Sequence, residues 1–305
     1  MEMGQLPGPL GWLWQPDGIV AIQRVFGREG RLVFEIFSLL GGAQITLIAV
    51  AWARWCRGRA LAARLLVALF LGIGVDLLIW NLYPTPRPDD PGVWVATPIP
   101  ISSFPSGHLV TVLTLWGTLA AVRIIAPLGV GLIAVLVALS RLALGAHYPG
   151  DVLGGVVVGL VLLVIIVGLW PRLIALSGRL SWPAPLIFGG VVAGVALLAA
   201  PVTPHGRWVL LGLLAGVAVG LPLESRYVGF DPVWRGWRPA LPHLLLGAVG
   251  LLPLVLLTRL AHDVPLVASL LVPALAALWI MLGAPLAFKR FEVARARRVA
   301  GLIHR

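Results

Sequence analysis

Residues 151–170 read Asp151-Val-Leu-Gly-Gly-Val-Val-Val-Gly-Leu-Val-Leu-Leu-Val-Ile-Ile-Val-Gly-Leu-Trp170. Beyond Asp151 this stretch carries no charge and no proline. About 20 such residues in helical form cross a hydrocarbon core of about 30 Å. A buried strand is far shorter, roughly 4–8 residues. The stretch therefore reads as a membrane-spanning helix.

Working outward, similar runs lie near 35–53, 61–82, 107–126, 128–143, 184–202, 208–223, 242–258 and 264–288, making about nine spans. The composition agrees. The chain is 59% hydrophobic and 11% charged, with a mean hydropathy of +0.98. Soluble domains carry about 25% charged residues, so a soluble globular protein and a disordered chain are both excluded. The expected fold is all-α, a polytopic integral membrane helical bundle.

The net charge is +11, from 23 Lys+Arg against 12 Asp+Glu, and Lys289 is the single lysine. In so apolar a chain, basic residues mark the loops that stay in the cytoplasm rather than a nucleic-acid surface. With the N-terminus outside, 16 of the 23 cations fall inside, which predicts an N-out/C-in arrangement. Cys56 is the only cysteine, so no internal disulfide and no cysteine metal site is expected. Residues 1–33 are broken by Pro7, Pro9, Gly11 and Pro16 and lack the basic start of a signal peptide. Residues 17–33 read as an amphipathic helix in the interface, with Trp12 and Trp14 in the aromatic belt. The glycine pairs Gly155/Gly159 and Gly190/Gly194, and the series Gly212/Gly216/Gly220, predict close helix packing.

In such a chain the clustered polar residues carry the information. One cluster follows the second span, Asn81 to Asp90, and contains Arg87-Pro88. Another opens the third span, Ser102-Ser103-Phe104-Pro105-Ser106-Gly107-His108. The last joins the fourth and fifth spans, from Ser140-Arg141 through His147 to Asp151. The predicted topology puts all three on the outer face. Arg87 and Arg141 suit a phosphate, whose oxygens match the guanidinium fork. Ser106 is a good N-cap, Gly107 permits close approach to the backbone, and the free N–H groups of that helix start would face an anion. His147 and Asp151 are four residues apart. Asp151 is expected to accept a proton from one ring nitrogen of His147, leaving the other free to attack phosphorus. His108, on another helix, is then placed to protonate a leaving oxygen. His205, His243, His262 and His304 are expected at interfaces rather than in chemistry. Asp76 is expected to contact Arg87 or a headgroup, or to pair inside the bundle. The loop from Glu224 to Asp231 is expected inside, bracing the fold or a dimer.

These clusters resemble the type-2 phosphatidic acid phosphatase family, a superfamily of lipid phosphatases that includes glucose-6-phosphatase-like enzymes. Its pattern is Lys-x6-Arg-Pro, then Pro-Ser-Gly-His, then Ser-Arg-x5-His-x3-Asp. Arg87-Pro88 match the end of the first motif. Pro105 to His108 match the second, and Ser140, Arg141, His147 and Asp151 match the third with its spacing. The resemblance covers about residues 35–170. It implies metal-independent hydrolysis of a lipid phosphate or pyrophosphate through a phosphohistidine on His147, with no cofactor. Asp151 would orient His147, and His108 would act as the acid. Arg87, Arg141, Ser106 and the Gly107 amide would hold the phosphoryl oxygens.

Trp80 stands where the pattern has its lysine. Three readings stay open there: another donor, a different substrate, or slow turnover. The rival functions are a soluble sugar-phosphate phosphatase, a lipid phosphotransferase, and an inactive phospholipid-binding or transport protein. The expected organisation is an N-terminal interfacial segment (1–34), a phosphatase core (35–171) and a C-terminal extension of about four helices (172–305). The expected partners are a lipid phosphate and membrane lipids. A second copy of the chain, in a homo-oligomer, is a further candidate partner. The expected location is a prokaryotic plasma (inner) membrane, with the site facing outward.

Overall fold

The computed structural model describes residues 10–98, 101–177, 190–191, 194, 204–232, 237–260 and 266–303. Among these residues all regular structure is helical. A short 3-10 turn, Gly11–Trp14, precedes α1 (Asp17–Phe26), α2 (Arg31–Leu39) and α3 (Ala43–Trp52). A π-helical turn, Ala53–Arg57, leads into α4 (Arg59–Leu82). Then come α5 (Gly107–Ala121), α6 (Pro127–Ala143) and α7 (Pro149–Ser177). The remaining elements are α8 (Pro204–Tyr227), α9 (Trp237–Leu260), α10 (Leu266–Leu278), a π-helical turn Trp279–Gly283, and α11 (Ala284–Ile303). The chain divides into two compact units, 1–48 with 63–201, and 49–62 with 202–305.

Four of the described helices are long and apolar enough to cross a membrane, or up to five if Arg31–Leu39 and Gln44–Arg57 form one bent span. The two within 59–177 are Arg59–Leu82 and Pro149–Leu176. At about 1.5 Å per residue, 24 residues reach roughly 36 Å. The expected spans at 107–126, 128–143 and 242–258 correspond to shorter apolar helices, Gly107–Ala121, Pro127–Ala143 and Arg238–Leu254. The expected span at 184–202 lies almost wholly outside the described residues.

The first unit is built around α5, which packs against α6 and α7. Gly155 and Gly159 of α7 explain the closeness of one contact. A Cβ at Gly155 would stand 2.6 Å from the Ser106 carbonyl oxygen, and one at Gly159 would stand 2.9 Å from Leu113 Cβ. Helix association in lipid depends on such packing, because there is no water to expel. Gly190 and Gly194, by contrast, have open space where a Cβ would stand, with nothing within 4 Å, so among the described residues they make no such contact. The seam is filled by Leu109, Val112, Val137 and Val152.

The expected single helix over 17–33 is instead two. Gly27, at φ +62°, ends α1 in the left-handed conformation that glycine tolerates, and its N–H returns to the Gln23 carbonyl. Nor does α1 lie only in the interface. It packs on α6 with Ile19 and Gln23 buried. Gln23 Nε2 donates to the carbonyls of Trp94 (2.8 Å) and Ala143 (3.0 Å), and its Oε1 accepts from the Trp94 N–H.

The second unit has its own buried ionic centre. Arg54 and Glu224 are both fully buried, with Arg54 NH2 2.8 Å from Glu224 Oε1. Arg59 NH2 lies 2.9 Å from Glu224 Oε2. Arg54 NH1 also donates to the Phe230 carbonyl, and the Phe230 N–H donates to Glu224 Oε1. The stretch 224–231, expected as a loop, is helical through Tyr227, where α8 ends, and it is thus tied to residues 54–59. His243, expected at an interface, is buried here between Phe230 and Phe288, and its Nε2 lies 3.1 Å from Glu292 Oε1. The side chains of His205, His262 and His304 lie outside the described residues. Gly212, Gly216 and Gly220 of α8 form the seam with α10 and the following turn. A Cβ at each in turn would stand 2.2 Å from the Leu270 carbonyl oxygen, 2.3 Å from that of Ala274, and 2.8 Å from Met281 Cβ.

Candidate active site

The three polar clusters come together in the first unit, where α4 ends and α5 and α7 begin. The turn after α6 sets up the last of them. Gly145 adopts φ +64°, and a Cβ there would stand 2.4 Å from the Trp94 carbonyl oxygen. That tight turn carries the chain back to His147, two residues before Pro149 opens α7.

His147 is buried, at 2% exposure. Its Nδ1 lies 2.9 Å from the Ser103 backbone carbonyl. A carbonyl only accepts, so Nδ1 carries the proton and Nε2 keeps its lone pair. Burial and the nearby Arg87 and Arg141 push the imidazole below its ordinary range, against the pull of Asp151. A neutral imidazole with Nε2 free is the form a nucleophile requires. Arg87 NH1 stands 3.5 Å from that Nε2.

Asp151 is placed differently from the sequence expectation. Its Oδ2 is 3.8 Å from His147 Nδ1, beyond hydrogen-bond reach. The tautomer is fixed by the Ser103 carbonyl, and Asp151 acts one step further out. Its Oδ2 accepts from the Ser103 hydroxyl and from the Tyr148 N–H (2.9 Å), and its backbone carbonyl accepts from the Ser106 N–H (3.0 Å). Asp151 thereby holds the segment that orients His147, and its charge faces the same ring nitrogen.

The two arginines are positioned from separate elements. Arg87 donates to the carbonyls of Ile101 (3.0 Å), Ala146 (2.7 Å) and Ser102 (3.2 Å). Arg141 is buried at the end of α6 and donates from NH1 to Ser38 Oγ (2.7 Å), while its Nε has no protein partner. Arg141, Ser38, Glu35, Thr97 and Ala146 line a cavity of about 320 Å³. That size falls at the lower end of small-ligand sites. A more open hollow of about 520 Å³ along α11, lined by Leu286, Lys289, Arg290, Val293 and Ala294, contains none of the motif residues.

Ser106 is the N-cap of α5, fully buried, with extended backbone. Its Oγ makes no capping bond and has no protein partner. An orphan hydroxyl beside a helix start is a ready donor for an anion. His108 follows at the second helical position, and its backbone presses on Gly41, where a Cβ would stand 2.8 Å from the His108 carbonyl oxygen. His108 is close enough for Arg141, His147 and Arg87 to act on it electrostatically. Gly107 allows a close approach, but the neighbour is Asp76. A Cβ there would meet Asp76 Oδ2 at 2.9 Å and Trp80 at 3.4 Å. Asp76 therefore packs under the start of α5 rather than on Arg87, and its Oδ1 has no protein partner. Trp80 has a structural contact of its own, donating from Nε1 to the Pro105 carbonyl (3.1 Å). It braces the Pro105–Gly107 segment from the position where the family pattern has a lysine.

Four contributors lie outside the sequence expectations: Ser103, Ser38, Trp80 as a brace, and Trp14, whose Nε1 donates to Asp151 Oδ1 (3.2 Å). Ser38 was visible as a polar residue within an apolar run, and Ser103 within a motif cluster. Trp14 gave no such signal.

Family models match in two ranges. Residues 61–175 match the PAP2 superfamily, and residues 208–297 match the PAP2 superfamily phosphatase transmembrane extension. Together they take in roughly two thirds of the chain. The chain belongs to the PAP2 superfamily. The PAP2 range contains every motif residue discussed above, from Trp80 to Asp151. Two curated proteins from strains of Mycobacterium tuberculosis, each named decaprenylphosphoryl-5-phosphoribose phosphatase, are 39% identical over 94 residues. That alignment takes in 30% of this chain and 50% of theirs, so the chain spans about half the length of the curated relatives it matches. No solved structure matches this PAP2 member. Trp14, Gln23 and Ser38 lie outside both matched ranges.

Proposed function

We propose that the chain is a membrane phosphatase that hydrolyses a lipid phosphate or pyrophosphate through a phosphohistidine. The observation that carries this reading is the state of His147: buried, with Nδ1 tied to the Ser103 carbonyl and Nε2 facing Arg87. In the first step, Nε2 attacks phosphorus and the P–O bond to the leaving group breaks. His108 gives its proton to the departing oxygen. In the second step, water attacks the phosphohistidine, His108 takes a proton from that water, and orthophosphate leaves with His147 restored. Arg87, Arg141, the Ser106 hydroxyl and the Gly107 N–H stabilise the charge gathering on the phosphoryl oxygens. One such donor is worth about 2.7–4 kcal/mol in a well-studied hydrolase. The mechanism uses no metal or cofactor.

A lipid-borne substrate is favoured by the membrane helices, by family membership and by the names of the mycobacterial relatives. A site at helix ends admits a headgroup while the tail stays in lipid. In this reading the chain has about nine spans, N-out and C-in, with the site facing outward from a prokaryotic plasma membrane. Residues 1–34 form an N-terminal segment, 35–171 the catalytic core and 172–305 a membrane extension.

The test is phosphate release by the purified protein from a panel of polyprenyl, glycerolipid, sphingoid, lipid-linked sugar and soluble sugar phosphates, with EDTA present. The expected result is turnover of a lipid member, unchanged by EDTA. Loss of turnover with chelator would overturn the metal-free mechanism, and turnover of soluble sugar phosphates alone would overturn the substrate class. Orientation has a separate test. An Asp89→Cys variant, in a Cys56→Ala background, is expected to react with an impermeant thiol reagent applied to intact cells. Labelling that requires access from the cytoplasm reverses the topology.

A further inference from the structure

We infer that Trp14 is a positioning residue for the Asp151–His147 pair, so that a segment outside both family matches is a working part of the active site. The inference rests on the phosphohistidine reading. It also rests on three contacts made by one indole ring. Trp14 Nε1 donates to Asp151 Oδ1. The ring lies on Gly150, where a Cβ would stand 2.4 Å from Trp14 Cε2. Its centroid is 6.5 Å from that of Phe104. The ring therefore touches the residues flanking both halves of the site, beside Pro105 on one side and Asp151 on the other.

Asp151 is fully buried, and donors from three elements hold its side chain. Oδ2 takes the Ser103 hydroxyl and the Tyr148 N–H, while Oδ1 takes the indole N–H. An acceptor stripped of its donor inside a protein is costly and turns toward another partner. With Oδ1 released, the carboxylate is free to rotate, and the Ser103 bond that sets the His147 carbonyl contact is no longer fixed. The released charge also weighs more heavily on His147 Nδ1, 3.8 Å away. That change favours protonation of the imidazole, so the nucleophile is lost at a higher pH. Ser38 of α2, also outside both family matches, accepts a bond from Arg141. Burial of Ile19 and the Gln23 bonds to Trp94 and Ala143 hold α1 in place.

The experiment compares Trp14→Phe with the parent protein in detergent, using the fastest lipid phosphate of the panel. Phenylalanine keeps an aromatic ring over Gly150 and removes the N–H. The expected result is a fall in kcat of about tenfold, in the range that loss of an orienting partner costs elsewhere, with KM little changed. The acid limb of kcat/KM should move to higher pH. Selective 15N labelling of histidine gives a second readout, in which the His147 titration moves the same way. If Trp14→Phe does not fold, benzothienylalanine at position 14 keeps the bicyclic shape without the N–H and is measured instead. Parent-like kcat and an unmoved acid limb overturn the inference. His147→Ala separates the two levels. If that variant is inactive while Trp14→Phe behaves like the parent, the inference fails and the phosphohistidine reading stands. If His147→Ala stays active, the reading itself fails.

Discussion

His147→Ala is expected to abolish phosphate release, with a loss of at least about 10⁴-fold, while the protein stays folded. The size follows from the role. A side chain that forms the covalent intermediate has no substitute in place. His108 lies on another helix, and in the proposed mechanism it supplies the proton the leaving oxygen needs. The phosphate-binding groups remain in the variant, so substrate affinity is expected to persist. Incubation of the parent with 32P-labelled substrate and an alkaline quench, which preserves the acid-labile P–N bond, should give a labelled protein, and the variant should give none. A variant that turns over at the parent rate would remove the nucleophile assignment. An unlabelled parent with normal turnover would leave direct attack by water as the mechanism.

Glu224→Gln is expected to destabilise the second unit by about 3–5 kcal/mol, because it leaves Arg54 buried beside a neutral group. Arg54 is fully buried and faces Glu224 at 2.8 Å, with Arg59 facing the other carboxylate oxygen. Taking one charge from such a pair strands the other, which costs far more than the pair contributes. Thermal unfolding in detergent should show a fall in Tm of the order of 10 °C. The double variant Arg54→Met with Glu224→Leu should recover most of that loss, since apolar residues of similar volume replace a buried ion pair at little cost. An unchanged Tm for Glu224→Gln would mean that water reaches the pair.

The sequence made the membrane-helix class plain, because a run such as 151–170 satisfies lipid and little else. It also supplied the candidate site residues, since Arg87, Ser106, His108, Arg141, His147 and Asp151 occupy motif positions, and the fold gathers them in one unit. What it could not show were partners set by three-dimensional closeness. Asp151 looked like the direct partner of His147 because they are four residues apart, yet a backbone carbonyl takes that bond. Backbone acceptors leave no mark in residue identity. Trp80 read as a missing cation, whereas its indole carries a structural bond to Pro105. Trp14 read as a belt residue because a tryptophan near an interface is ordinary, and its bond crosses 137 positions of sequence. The break at Gly27 was hidden because the hydrophobic pattern continues across it.

The three carbonyl ties of Arg87 have a thermodynamic consequence. A free arginine side chain has up to about 2 kcal/mol of rotamer entropy to lose when it closes on a ligand. Here the bonds to Ile101, Ala146 and Ser102 hold the fork still before any substrate arrives. The ordering cost was met when the chain folded, so it does not recur in each turnover. The same planar geometry makes lysine a poor replacement at position 87, because one ammonium cannot reach three separated carbonyls and still face Nε2 of His147. The cation beside His147 is thus part of the scaffold, and in the proposed mechanism an entering phosphate meets a charge that does not have to move.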